Sequence, residues 1–143
     1  MRLALACAKQ AQEVDEVPVG AVLVHETQIL ATGFNLRETS NDPTAHAEII
    51  ALRRAADKLG SWRMPQETAL YVTLEPCPMC AGAILQARVA TVIFGCSDPK
   101  AGCCGTLYNI VADTRFNHQT IVTGGVLAAE CSEILQTFFK QKR

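Results

Sequence analysis

Apolar residues recur along this chain in two rhythms that replace one another. Leu3, Cys7, Ala11 and Val14 fall three or four apart, the spacing of one helix face, and predict a first helix over residues 2–14. The period then shortens. Residues 20–24 and 29–34 are β-rich runs joined by His25-Glu26-Thr27-Gln28, which reads as a hairpin. Ile49, Leu52, Ala56 and Leu59 restore the helical period, and Gly60 ends it. This second helix is expected to start near Asp42-Pro43-Thr44, where Asp42 or Thr44 can cap and Pro43 suits the first turn. Residues 70–74 predict a third strand. Pro78 opens a third helix that runs to about Gln86, and residues 91–95 and 120–123 predict two further strands. Leu127, Cys131, Ile134, Leu135 and Phe138 mark a last helix, with Glu130 and Glu133 early in it and its bases late, as the helix dipole favours.

Helices alternating with strands after an opening hairpin predict a layered α/β domain. The hairpin pair must be antiparallel, whereas helix-linked strands tend to be parallel, so a mixed sheet is expected. No repeat or linker interrupts the pattern, and one domain over residues 1–143 is the simplest reading.

Composition narrows the classes. The chain has 143 residues, 49% hydrophobic and 19% charged, which supports a core and argues against disorder. No apolar run reaches membrane-spanning length. The apolar start is followed at once by Lys9, Gln10, Gln12 and Glu13, so it reads as an amphipathic helix, not a signal peptide. With no export signal, the seven cysteines are expected in a reducing cytosol. Cys7 and Cys131 fit buried helix positions. Cys96, Cys103 and Cys104 lie in a Gly-rich stretch where no histidine or acid recurs at ligand spacing. A net charge of −1 does not announce a nucleic-acid binder. Such a role would need a local patch, from Arg53, Arg54, Lys58 and Arg63 or from Lys140, Lys142 and Arg143. An ordinary solvated surface is the simpler reading of either group.

The chemistry gathers in His46-Ala47-Glu48 and Pro76-Cys77-Pro78-Met79-Cys80. Cys77 and Cys80 are three apart at a helix start, so their sulfurs can converge, and a helix N-terminus favours the thiolate that binds metal. His46 is expected in the first turn of the other helix. Three such donors suit zinc and leave one position open for water. Two thiolates and an imidazole neutralise the ion and weaken it as a Lewis acid, so water activation needs a base. Glu48, two residues from His46, is poorly placed as a ligand and well placed to move a proton. Each piece alone has a plainer reading. His-x-Glu can be helix polarity, and Cys-x-x-Cys can be a redox dithiol. A closed structural site could draw a fourth ligand from Cys103, Cys104 or His118.

The two halves together match the signature of zinc nucleobase deaminases. The chain resembles the bacterial tRNA-specific adenosine deaminases over nearly its whole length. The resemblance rests on residues 16–22 (EVPVGAV), 42–49 (DPTAHAEI) and 71–77 (YVTLEPC), with Phe94-Gly95, Asp98, Lys100, Gly102, Gly105, Asn117-His118 and Phe138-Phe139-Lys140. It implies a cytidine-deaminase-like three-layer α/β/α fold with a five-stranded sheet, and a homodimer. It implies zinc on His46, Cys77 and Cys80, with Glu48 as proton shuttle. The reaction implied is hydrolysis of the wobble adenosine to inosine in a tRNA anticodon stem-loop, typically that of the arginine tRNA with anticodon ACG, releasing ammonia.

Further roles follow from the same resemblance. Asn35 would contact the flipped nucleoside, although it also suits a turn. Asp98 would lie near the substrate backbone, or start an Asp-Pro turn. Phe138 and Arg143 fall on the tRNA-contacting helix. Phe138 has core spacing, and Arg143 suits a phosphate contact. Backbone N–H groups at Ala47 and Cys77 could polarise the base. Cys96, Ser97, Cys103 and Cys104 depart from the family pattern and bear on the shape of the substrate loop. Two other classes stay open: a free-base or nucleoside deaminase acting on guanine or cytosine, and a non-catalytic, zinc-stabilised RNA-binding subunit.

Overall fold

The computed structural model describes residues 1–143. Nine elements follow in the order α1 (Arg2–Glu13), β1 (Gly20–His25), β2 (Gln28–Phe34), α2 (Ala47–Leu59), β3 (Thr68–Leu74), α3 (Pro78–Gln86), β4 (Thr91–Cys96), β5 (Ile121–Thr123) and α4 (Ala128–Gln141). The strands form one five-stranded sheet in the order β2-β1-β3-β4-β5. β1 is antiparallel to both neighbours, and β3, β4 and β5 run parallel. The mixed sheet expected from the hairpin and the helix-linked strands is therefore present. No helix is long and apolar enough to cross a membrane.

Strand alternation divides the core between two helical layers. Register aligns Leu23 with Leu70 and Ala21 with Val72, and these with Val92 and Phe94. This face packs with Ala51 and Ala55 of α2 and Ile84 of α3 in the main apolar cluster. The opposite face carries Val22, packed with Ala4 and Cys7 of α1. α4 lies on that side too, because Cys131 sits where a side chain on Gly95 would point. An Arg2–Glu130 ion pair joins α1 to α4, and a Lys142–Asp15 pair joins the residues just past their C-terminal ends, but exposed pairs of this kind add little stability.

Gly33 matters for the site. A Cβ there would meet the backbone of Ala47 and Ala51, at 2.8 Å from the Ala51 nitrogen, so only hydrogen lets α2 lie this close to β2. Gly33→Ala is expected to push the start of α2 outward and to destabilise the fold by about 1–3 kcal/mol, the range for overpacking. Urea unfolding of the two proteins would measure it.

One boundary differs from the sequence expectation. α2 starts at Ala47, not near Pro43, and its N-cap is His46 in extended conformation. Asp42 does not cap it. Its Oδ1 instead accepts from the Thr44 N–H at 2.8 Å and the Thr44 hydroxyl at 2.7 Å. This side-chain turn competes with helix for the backbone and delays the helix by four residues. His46 is thus not within the first turn but immediately before it.

Candidate active site

β2 and β3 both run antiparallel to β1, and β4 runs parallel to β3. The C-terminal ends of β2, β3 and β4 therefore share one edge of the sheet, where open α/β sheets bind ligands. α2 leaves from that edge after β2, and α3 after β3. Each helix places a candidate ligand at its N-cap: His46 for α2 and Cys77 for α3, with Pro78 filling the first helical position of α3. Cys80 lies one turn further along.

These three side chains converge. His46 Nδ1 is 3.5 Å from Cys77 Sγ and 3.4 Å from Cys80 Sγ, and all three donor atoms lie within 4.8 Å of one another. A tetrahedral zinc with ordinary Zn–N and Zn–S bonds would hold nitrogen and sulfur about 3.6 Å apart. The donor types and their spacing fit that ion. Hydrogen bonding from Cys80, and then from His46, lowers the Cys77 thiol to about 4. The same bond and burial raise Cys80 far above the usual thiol range. A metal held here would take both sulfurs as thiolates, so its binding releases protons.

No fourth side chain joins the group. His118 donates Nε2–H to the Val89 carbonyl at 2.8 Å, and Cys103 and Cys104 are packed in the apolar core. No second cluster forms around Cys96, Cys103 and Cys104. Glu48 is buried beside the three donors, and desolvation, reinforced by Cys77, pushes its carboxyl up to about 7. A group poised there can accept and return a proton near neutral pH.

His46, Cys77 and Glu48 line a cavity of about 280 Å³ with Asn35, Asp98, Ala47, Glu75, Arg37 and the apolar Val17, Val19, Leu74, Ala101 and Phe139. Ala47, first residue of α2, carries one of the N–H groups that a helix leaves without an internal acceptor. Asn35 is buried. Its Nδ2 donates to Glu16 Oε2 at 3.3 Å, and its Oδ1 has no partner. Asp98 meets both of its sequence readings: it lines the cavity, and its Oδ1 accepts from the Lys100 N–H at 2.9 Å as a turn residue does.

Arg143 lies outside the cavity. It lines an adjoining groove of about 740 Å³ with Lys100, Lys140 and Lys142. Val17, Leu74, Asp98 and Phe139 border both spaces. Phe138 is core, as its spacing indicates, at 5% exposed; its neighbour Phe139 is 46% exposed and reaches the cavity. Of the other basic group, Arg54 donates to the Thr32 carbonyl and Arg53 borders an apolar groove beside Trp62.

Sequence reasoning missed Phe139, Glu16 and Glu75. Phe139 had a signal, since it falls off the apolar stripe defined by residues 127–138. The carboxylates had none beyond their motifs. Burial alone would raise the Glu75 carboxyl, but hydrogen bonds from Thr106, Asp98 and Cys104 hold it below the usual range.

Comparison with known proteins agrees with this geometry. The MafB19-like deaminase family model matches residues 1–143. The tRNA-specific adenosine deaminase of Bacillus subtilis is 52% identical over the whole chain and 88% of its own length. That of Haemophilus influenzae is 51% identical, over 83% of its own length. A solved structure from a study of A-to-I editing by tRNA:A34 deaminases superposes with a TM-score of 0.89 at 44% identity, covering 94% of this chain and 97% of the other. The guanine deaminase of Nitrosomonas europaea gives a TM-score of 0.83 at 21% identity, covering 96% of this chain and 81% of the other, a likeness of fold alone. The chain belongs to the MafB19-like deaminases and, within them, to the tRNA-specific adenosine deaminase family.

Proposed function

We propose that the protein is a zinc-dependent tRNA adenosine deaminase that converts the wobble adenosine of an anticodon stem-loop to inosine and releases ammonia. The observation that carries this reading is the His46, Cys77 and Cys80 triangle beside buried Glu48, in a cavity that adjoins a lysine- and arginine-lined groove. His46, Cys77 and Cys80 would hold zinc, which supplies the electrophilic activation of water at neutral pH.

The protein's own groups do the rest. Glu48 takes one proton from the attacking water and gives it to the ring nitrogen, then takes the second from the hydroxyl now on carbon and gives it to the amine, so that ammonia leaves as the carbonyl forms. Its burial keeps the proton exchange away from bulk solvent. The N–H groups of Ala47 and Cys77 face developing charge at the reacting edge of the base. Asn35 holds the nucleoside, with Glu16 fixing its amide. Val17, Val19, Leu74 and Phe139 give the flat ring an apolar seat. Lys100, Lys140, Lys142 and Arg143 offer charge to the RNA backbone leading into the cavity, while Asp98 stands where cavity and groove meet.

The same reading makes the protein a homodimer of one-domain subunits in the cytoplasm. Support for a second copy is an apolar groove of about 510 Å³ lined by Ile49, Leu52, Ala56, Ala83 and Ala87, beside a Trp62 that is 63% exposed. An exposed aromatic beside an apolar groove supports a docking face for a second copy.

A free-base deaminase is the second reading, because the guanine deaminase shares the fold. The basic groove favours RNA, since a free base carries no phosphate to meet it. Zinc-loaded protein should make inosine in an anticodon stem-loop, with kcat/KM falling steeply as salt rises. Ammonia released from guanine, with no inosine formed in RNA, would reverse the order of the two readings.

A further inference from the structure

We infer that Glu75 is a positioning residue that fixes the wall between the cavity and the basic groove. The inference rests on the deaminase reading given above, and it concerns how RNA is seated, not how water is activated.

Glu75 is 2% exposed, and its carboxylate is met by hydrogen bonds alone. Oε2 accepts from the Asp98 N–H at 3.0 Å and the Thr106 hydroxyl at 2.5 Å. Oε1 accepts from the Cys104 N–H at 3.2 Å and the Thr106 N–H at 3.0 Å. A charge taken out of water is costly unless fully bonded, and here every bond goes to the loop 98–106. One carboxylate therefore clasps both ends of that loop. Gly102 is the residue that makes room, because a Cβ there would lie 2.5 Å from the Glu75 carboxyl carbon.

The clasp acts in series on the pocket. Asp98, held by its N–H, uses Oδ1 to accept from the Lys100 N–H at 2.9 Å and the Ala101 N–H at 3.3 Å. Asp98 and Ala101 line the cavity, and Asp98, Pro99 and Lys100 line the groove. Moving Glu75 would thus move the surface that a nucleotide beside the target base must cross. The loop is also tied to the ligand segment by the Cys103 N–H donating to the Pro76 carbonyl at 2.9 Å. That bond does not involve Glu75, so loop position and metal site can be separated.

Glu75→Gln separates them. The amide oxygen can replace Oε1 toward Cys104 and Thr106. The amide nitrogen faces the Asp98 N–H, donor against donor, while the Thr106 hydroxyl can turn to accept. Expected is a rise in KM for stem-loop RNA of about tenfold, the loss of a hydrogen bond to a charged group, with kcat within about twofold and bound zinc unchanged. Asp98→Ala keeps the N–H that Glu75 holds and loses only the Oδ1 bonds to Lys100 and Ala101; placed on Glu75→Gln it should add less than about twofold, because the two act in series on one turn.

An unchanged KM overturns the inference. So does a loss confined to kcat and zinc content, which would make Glu75 a support for the ligand segment, and so do fully additive losses in the double variant. If Glu75→Gln does not fold, Thr106→Val decides by the same KM criterion, since it removes one donor to Oε2. A wild-type protein that makes no inosine would overturn the deaminase reading and this role with it. An active wild type with unaffected variants would overturn the role of Glu75 alone.

Discussion

Glu48→Gln should leave zinc bound and lower kcat by about 10²–10⁴-fold, the usual worth of a positioned acid–base group. Glutamine keeps the size of the side chain but can neither accept the proton of water nor deliver one. Glu48 is 4% exposed, so bulk water cannot take over its part. An amide at a buried site carries no charge to desolvate, and the fold should tolerate the change. The variant therefore isolates chemistry from structure. Single-turnover rates measured beside metal content would check it. Full activity in Glu48→Gln would remove this carboxylate from the mechanism, and the same change would separate an enzyme from a zinc-stabilised binding subunit.

Cys80→Ser should lose both metal and activity. Cys80 is fully buried and one of only three side chains in the donor cluster. A serine hydroxyl keeps its proton at neutral pH and is a poor ligand. With only His46 and Cys77 left, metal affinity should fall by more than the roughly 10–100-fold lost when a hydrogen-bond partner of a ligand is removed. Zinc content after dialysis against a weak chelator would show it. The two variants form a contrast: one inactive with metal, the other inactive without it. A Cys80→Ser protein with normal zinc would mean that the ligands are assigned wrongly.

Much of this was legible in the chain because it is local. The hairpin, the three apolar helix stripes and the Pro78 start each follow from neighbours within a few residues. The ligand triad was legible for a similar reason, since each donor sits at or within one turn of a helix start. What failed was the competition at Asp42, where a side-chain turn won over the capping that its position invites. Phe138 was legible as core by its spacing, whereas the place of Phe139 at the cavity depends on how α4 lies against the sheet. The Asn35–Glu16 and Glu75–Thr106 bonds span 19 and 31 residues, and no periodicity carries such pairings. The substrate was legible only through resemblance, because a net charge of −1 hides a groove where four cations gather.

The site is proposed to deaminate a tRNA adenosine at the wobble position. Zinc-loaded wild-type protein and its Glu48→Gln variant, incubated with total bacterial tRNA and followed by sequencing for A-to-I changes, would test it most directly. Wild type should make inosine at the wobble position of an ACG anticodon, and the variant none above background. No inosine in any tRNA with the wild-type protein would contradict it.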